Sequence, residues 1–168
     1  MKTILITGGC GSIGSQFVSR ILKHKNHRVI NVDALTYAGN PDNVAMHEGN
    51  PQYVFEKADI TDSVALTRIF DKYQPEYVIN FAAETHVDRS VHLGTKAFLR
   101  TNTEGVLNLL EQVKRTKVKK MVQVSTDEVY GSLPLTSKKK FTETSPLAPN
   151  SPYAASKTAG DLFCRAYF

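Results

Sequence analysis

Cysteine is scarce in this sequence, and the two that occur, Cys10 and Cys164, lie far apart with no CxxC pattern. That excludes a disulfide framework and offers no zinc-ligand spacing, so a reduced, cytoplasmic setting is the default expectation. No apolar run approaches the ~20 residues that a membrane-spanning helix needs. The N-terminal MKTILITGG is interrupted by glycine too early for a secretory signal. No internal repeat is present. Acidic residues are the minority charge, 16 Asp and Glu against 21 Lys and Arg, which leaves a formal +5. The basic excess collects at Lys114 to Lys120 and Lys138 to Lys140, without interleaved aromatics. The first cluster lies at the end of a predicted helix, where cations suit the dipole, and the second in a polar loop. Both read as solvated faces, so neither nucleic acid nor membrane is the expected partner.

What is present is an ordinary globular composition, 41% hydrophobic and 22% charged over 168 residues, enough for one domain with a real core. Short apolar runs alternate with amphipathic stretches. Strands are predicted at 2–7, 27–33, 52–59, 76–83 and 119–126, and helices at 12–25, 62–73, 101–116 and 153–168. Shorter helical turns are expected around 41–47 and 90–99. Strand–helix alternation with short connections implies an α/β fold: a Rossmann-type, doubly wound parallel sheet flanked by helices with right-handed crossovers. The irregular 131–152 contains Pro134, Pro146, Pro149 and Pro152, and loops that long are usually functional or mobile. The final amphipathic stretch stops within helical periodicity with no C-cap signal, so the fold is expected to be truncated after that helix.

The first predicted strand runs into TGGCGSIGS. Gly9-x-Gly11-x-x-Gly14 fits the dinucleotide fingerprint, and Gly8-x-x-Gly11-x-x-Gly14 fits its variant at the same place. Glycines allow a tight turn and close backbone approach, and the helix N-terminus then meets the pyrophosphate. Asp33 ends the next strand nineteen residues after Gly14, where an acid is expected to hold the adenosine ribose. Its carboxylate would repel a 2′-phosphate, which favours NAD over NADP. Asp59 ends the third strand similarly, and either binds adenine or caps the helix beginning near Thr61 or Asp62. Small Ala82 and Ala83 after the fourth strand would let a cofactor lie close. His86 and Asp88 lack a third ligand, so no metal is expected.

Two further motifs carry chemistry. Tyr153 and Lys157 form YxxxK, which at i,i+4 places both on one helix face. A free tyrosine has a pKa near ~10, and a neighbouring ammonium together with an oxidised nicotinamide is expected to lower it. The stretch VSTDEVYG at 124–131 sets two adjacent carboxylates, Asp127 and Glu128, behind two hydroxyls at a strand end. Two like charges there repel each other, so a turn alone does not account for the pair.

With TGGxGxIG, these motifs resemble the extended short-chain dehydrogenase/reductase superfamily. VDALTYAGN (32–40), AAETHVDRS (82–90), TNTEG (101–105), STDEVYG (125–131), FTE (141–143) and SPYAASK (151–157) resemble the dTDP-glucose 4,6-dehydratases within it, along the whole chain. In related sugar epimerases the strand-five segment lacks the Asp-Glu pair. The resemblance implies that Tyr153 takes the C4 hydroxyl proton while NAD takes the hydride. Glu128 then removes the C5 proton, Asp127 protonates the departing C6 hydroxyl, and the hydride returns to C6. Thr126 would bond the C4 oxygen, and Lys157 would hold the ribose. For that division of labour Asp127 must be protonated while Glu128 is ionised, which burial and the like-charged neighbour would favour.

The same resemblance assigns Gly8, Gly11, Ser12, Ile13 and Gly14 to the cofactor, with Asp33, Ala34, Leu35, Thr36, Asp59 and Ile60. Phe81, Ala82, Ala83, Glu84, Thr85 and Thr101 join them, and Thr85 also faces the sugar. Ser12 departs from the aromatic usual in the family, at a contact made mainly through backbone. Residues 1–168 are thus expected to be an incomplete NAD-binding domain without the C-terminal substrate domain. Alone it would turn over feebly or not at all, with strand five an exposed apolar edge. Expected partners are a nucleotide-sugar substrate and a second copy, paired through helices 101–116 and 153–168. A second reading makes the chain an inactive NAD-binding module; a third keeps the chemistry on UDP-glucose or another nucleotide hexose.

Overall fold

A computed structural model describes residues 1–92 and 94–168. Five parallel strands, β1 (Lys2–Thr7), β2 (His27–Asp33), β3 (Tyr53–Lys57), β4 (Tyr77–Asn80) and β5 (Lys120–Gln123), form one sheet in the order β3-β2-β1-β4-β5. The chain winds outward from β1 to β3, then returns to the other side of β1. That reversal opens a crevice beyond the carboxyl ends of β1 and β4, where doubly wound sheets bind ligands. Facing helices are α1 (Ser12–Leu22), α2 (Ser63–Tyr73), α3 (Val87–His92), α4 (Thr95–Leu99), α5 (Val106–Thr116) and α6 (Pro152–Tyr167).

Alternation along each strand sends apolar side chains to two cores. Leu5, Ile30, Val32 and Val78 pack with Leu66, Ile69 and Phe70 of α2 and Leu109 and Val113 of α5. Ile4, Ile6 and Val29 pack on the opposite face with Val18 and Leu22 of α1. Each such fully buried side chain is worth roughly 1.5–3 kcal/mol over exposure. At the carboxyl edge the central strands switch to polar residues in register, Thr7 beside Asn80 and Asn80 beside Gln123. The Thr7 hydroxyl donates to Asn80 Oδ1, and Asn80 Nδ2 donates to Gln123 Oε1 at 2.7 Å. Thr7 and Asn80 are fully buried, so this lacing satisfies groups that would otherwise cost about 1–3 kcal/mol each.

The predicted element order holds, and the ends shift for local reasons. β3, β4 and β5 stop short of 59, 83 and 126 because their last predicted residues leave the sheet to form the crevice wall. Asp62 caps α2, its Oδ1 accepting from the amides of Val64 and Ala65. Asp59 is therefore not the cap; it accepts from Thr61 N at 2.8 Å at the strand end. The predicted helix at 101–116 begins earlier, at Thr95, and continues through a π-helical turn at Arg100–Gly105 into α5. Residues 41–47 form a 3-10 helix. β5 does lie at the sheet edge, but its apolar exposure is confined to Val122, narrower than the apolar edge expected. Cys10 and Cys164 are free. Among the described residues no helix is long and apolar enough to cross a membrane, and no cluster of three or more metal-ligating side chains occurs.

Candidate active site

The crevice is a cleft of about 240 Å3. Its floor is the glycine loop between β1 and α1. Gly8 has φ +70°, and a Cβ there would stand 2.6 Å from the amide nitrogen of Ala82. A Cβ on Gly14 would stand 2.2 Å from Gly8 O. Two backbone segments thus meet where only hydrogen fits, which leaves the N-terminus of α1 open to the cleft. The loop is held from the β2 side: Cys10 N donates to Asp33 Oδ2 at 2.8 Å, and Asn43 Nδ2 donates to Cys10 O at 2.9 Å. Burial pushes the Cys10 thiol up to about 11, with the Asp33 charge adding to it, so the thiol stays neutral.

Nearly the whole predicted cofactor set lines this one cleft, from Gly8 through Asp33, Asp59 and the 81–85 segment to Thr101, Tyr153 and Lys157. Leu35 is the exception. Its side chain packs on the α1 core, and its amide donates to Asp33 Oδ1 at 2.8 Å, with φ +54°. The residue serves the turn, not the cleft. The prediction also missed lining residues, among them Ala38, Gly39, Ala58 and Ser125. Gly39 stands where only hydrogen fits, since a Cβ there would sit 2.6 Å from Asp33 Oδ1, a closeness that sequence does not show.

Asn102 was missed as well, and it organises the far wall. Only 1% exposed, it accepts from Glu84 N and donates to Glu84 O, both at 2.9 Å. Its amide also donates to Ser156 Oγ at 3.0 Å, while Thr103 Oγ1 donates to Ser156 O at 3.1 Å. One buried side chain therefore ties the 81–85 segment to the helix that carries Tyr153 and Lys157. It sits on the π turn, a distortion that often marks functional sites. Glu84 itself is held above its ordinary carboxyl value, first by burial and then by Asp59, with Arg89 opposing.

At the β5 side, Ser151 caps α6, its hydroxyl accepting from Ala154 N at 3.0 Å, and Pro152 opens the first turn. Lys157 is 4% exposed and donates to Val124 O at 2.6 Å. Tyr153 packs edge-on against Phe98, with ring centroids 6.3 Å apart. Its phenol stands above the ordinary value, first through burial, while the Thr126 hydroxyl pulls it down and Glu128, Tyr37 and Asp127 push it up. Burial comes first among the influences on the phenol, and Lys157 is not among them.

Thr126 ends the strand segment and caps a 3-10 turn, Asp127–Tyr130, its hydroxyl accepting from Glu128 N at 3.3 Å. Asp127 and Glu128 are the first two residues of that turn. Glu128 is half-buried, whereas Asp127 is exposed, so burial does not supply the push toward protonation expected for Asp127. Neither acid lines the cofactor cleft; both border Tyr153 from outside it.

A parallel sheet with a glycine loop at its switch point, an acid at the end of β2 and a Tyr–Lys pair on α6 defines a Rossmann-type, NAD-binding fold of the short-chain dehydrogenase/reductase type. Family comparison then becomes specific. The family model described as GDP-mannose 4,6 dehydratase matches residues 5–168. The chain belongs to that family. It is 49% identical over 176 residues to dTDP-glucose 4,6-dehydratase of Xanthomonas campestris pv. campestris, covering 99% of this chain and 49% of the relative. The dTDP-glucose 4,6-dehydratase of Streptomyces venezuelae, solved with NAD bound, superposes with a TM-score of 0.91 at 44% identity, over 98% of this chain and 51% of that one. UDP-glucose 4-epimerase of Thermus thermophilus, in complex with NAD, gives 0.87 at 34% identity, over 98% and 50%. The chain spans about half the length of the relatives it matches.

Proposed function

We propose that these residues are the NAD-binding and catalytic part of a nucleotide-sugar 4,6-dehydratase that converts dTDP-glucose to dTDP-4-keto-6-deoxyglucose. The observation that carries this reading is the Asp127–Glu128 pair on the turn beside Tyr153, whose side chain lines the glycine-loop cleft. Oxidation at one carbon alone would use Tyr153 and Lys157 and leave two carboxylates without work. The residues fit the cofactor because Gly8 and Gly14 let two backbone segments close below the N-terminus of α1, and each Asp33 carboxylate oxygen, accepting one amide, keeps a lone pair for a ribose hydroxyl. When bound, NAD supplies a hydride acceptor for C4 and returns the hydride at C6.

The protein groups then divide the proton work. Tyr153 takes the C4 hydroxyl proton, and the positive charges of Lys157 and the nicotinamide offset the burial that raises its phenol. Thr126 holds the C4 oxygen. Once C4 is a ketone, Glu128 removes the acidified C5 proton, Asp127 protonates the C6 hydroxyl so that it leaves as water, and Glu128 gives its proton back to C5 as the hydride reaches C6. Two acids are needed because one group cannot be base and acid in the same step. Lys157 faces the cofactor ribose, and Thr85 faces both cofactor and sugar. Residues 1–168 form one cofactor-binding domain, with the nucleotide-gripping domain outside them. Exposed Leu162 and Phe163 on α6 support pairing of two copies through helices 101–116 and 153–168.

Calorimetry of NAD+ against the purified chain, followed by dTDP-glucose with the 4-keto product read by its absorbance in alkali, tests the proposal. Saturable NAD+ binding is expected, and turnover from these 168 residues is expected to be slight or nil. Failure to bind NAD+ overturns the cofactor assignment. A chain that epimerises a nucleotide hexose at C4 and releases no 4-keto sugar overturns the dehydratase assignment.

A further inference from the structure

Asp161 is left without a role by the chemistry above, yet it sits one helical turn beyond Lys157 at the back of the same site. Ser125 Oγ donates to its carboxylate, and the preceding residue, Val124, gives its carbonyl to Lys157 Nζ at 2.6 Å. Two consecutive residues of the strand end are thus bound by two residues of α6 at i and i+4. The next three residues of that segment are Thr126, Asp127 and Glu128. These paired links set how far α6 stands from the acid pair, and so how far Tyr153 stands from it.

Charge gives a second, independent reason. Lys157 is the only lysine or arginine among the buried polar residues described, and none of the ion pairs among the described residues includes it. Burial pulls its ammonium below the ordinary lysine value, and Asp161 is the first group acting in the other direction. The other is Cys164, whose thiol burial pushes up to about 11 and which is therefore neutral near pH 7. Just beyond β5 Lys157 donates to the Val124 carbonyl, while the Asn102 network of the π turn binds the neighbouring Ser156, and Asp127 and Glu128 of the 3-10 turn bear on Tyr153. Asp161 itself is raised by burial and drawn down by the Ser125 hydroxyl and by Lys157.

We propose that Asp161 is a positioning residue for this site: its carboxylate is the counter-charge to Lys157 one helical turn away, and its bond to Ser125 fixes α6 against the strand end that carries Thr126, Asp127 and Glu128. The role for Lys157 rests on the function proposed above; the coupling of the two charges does not.

The test is an NMR titration of the chain with 13C,15N-labelled lysine, the Lys157 side-chain signal being assigned by its loss in Lys157→Arg. In the unaltered chain the Lys157 signal is expected to show a second, acid inflection as Asp161 takes up its proton. Asp161→Asn keeps the shape and a hydrogen-bonding oxygen for Ser125, and it is expected to move the Lys157 titration to lower pH. Ser125→Ala, which keeps the carboxylate, is expected to move it by less. NAD+ affinity of Asp161→Asn is expected to fade at a lower pH than that of the unaltered chain. A Lys157 signal with no acid inflection, or one unmoved in Asp161→Asn, overturns the proposal, and the first reading needs no variant to fold. A coupled Lys157 in a chain that fails to bind NAD+ overturns the cofactor reading while leaving the charge pair standing.

Discussion

Where β1 meets α1 the cleft is built from backbone; where β5 meets α6 it is built from side chains. On the first side, specificity comes from atoms that are missing. Gly8 and Gly14 bring two chain segments within a distance that no Cβ could occupy, and Asp33 spends its carboxylate on the amides of Cys10 and Leu35. On the second side, a buried ammonium, a phenol and three carboxylates lie within two turns of helix and one strand end. The difference teaches that the two sides should fail differently. One should be intolerant of added volume and indifferent to charge, and the other the reverse.

The largest expected effect belongs to the charge side. In a protein containing the complete site, Asp127→Asn and Glu128→Gln are each expected to lower turnover about 100- to 10,000-fold, the usual worth of a positioned acid or base. NAD+ affinity should stay nearly constant, since neither acid lines the cofactor cleft. Steady-state turnover beside calorimetry reads both. A comparable loss of NAD+ affinity in either variant would break the division between the two sides.

Next comes the volume side. Gly14→Ala places a methyl 2.2 Å from Gly8 O, and backbone must move to admit it. Overpacking of this kind costs about 1–3 kcal/mol, and each 1.4 kcal/mol that falls on binding is roughly tenfold in affinity. The expected result is a chain that still folds and binds NAD+ at least tenfold more weakly. An unchanged Kd would mean that α1 does not face the pyrophosphate.

Asn102 joins the two sides, and its loss should be intermediate. Asn102→Ala leaves the Glu84 amide and carbonyl without their partners, at about 1–3 kcal/mol for each group that stays dry. Urea unfolding should show that loss, together with weaker NAD+ binding as the 81–85 segment loosens from α6. Unaltered stability would mean that water replaces the amide and that the clamp is not structural.

The backbone side was also the more legible in sequence. A glycine at a strand–helix junction announces itself through spacing, so the fold, the loop, Asp33 and the Tyr–Lys pair were readable before any coordinates. Asn102 gave no such signal, because a π turn depends on tertiary packing and its three bonds join residues 18 and 54 positions away. Leu35 was assigned to the cofactor along with Asp33, Ala34 and Thr36, whereas its side chain packs against the α1 core. The i+4 partner of Tyr153 was visible in sequence, whereas the burial and the Thr126, Glu128 and Asp127 groups that act on its phenol are long-range facts.

The smallest prediction places a charge on the backbone side. Glu84 lines the cofactor cleft with its carboxyl above the ordinary 4.5, chiefly through burial. A carboxyl whose folded-state value is raised binds its proton more tightly folded than unfolded. Its stabilising contribution is therefore complete below pH 4.5 and is lost as pH rises through the folded value. Glu84→Gln removes that loss and leaves the backbone bonds to Asn102 in place. The melting temperature of the variant, relative to the unaltered chain, should accordingly climb between about pH 4 and pH 7. Because Arg89 offsets part of the burial, the climb should be small. A difference that falls with pH would mean that Arg89 outweighs burial, and the cofactor side would then rest on an ion pair as well as on its backbone.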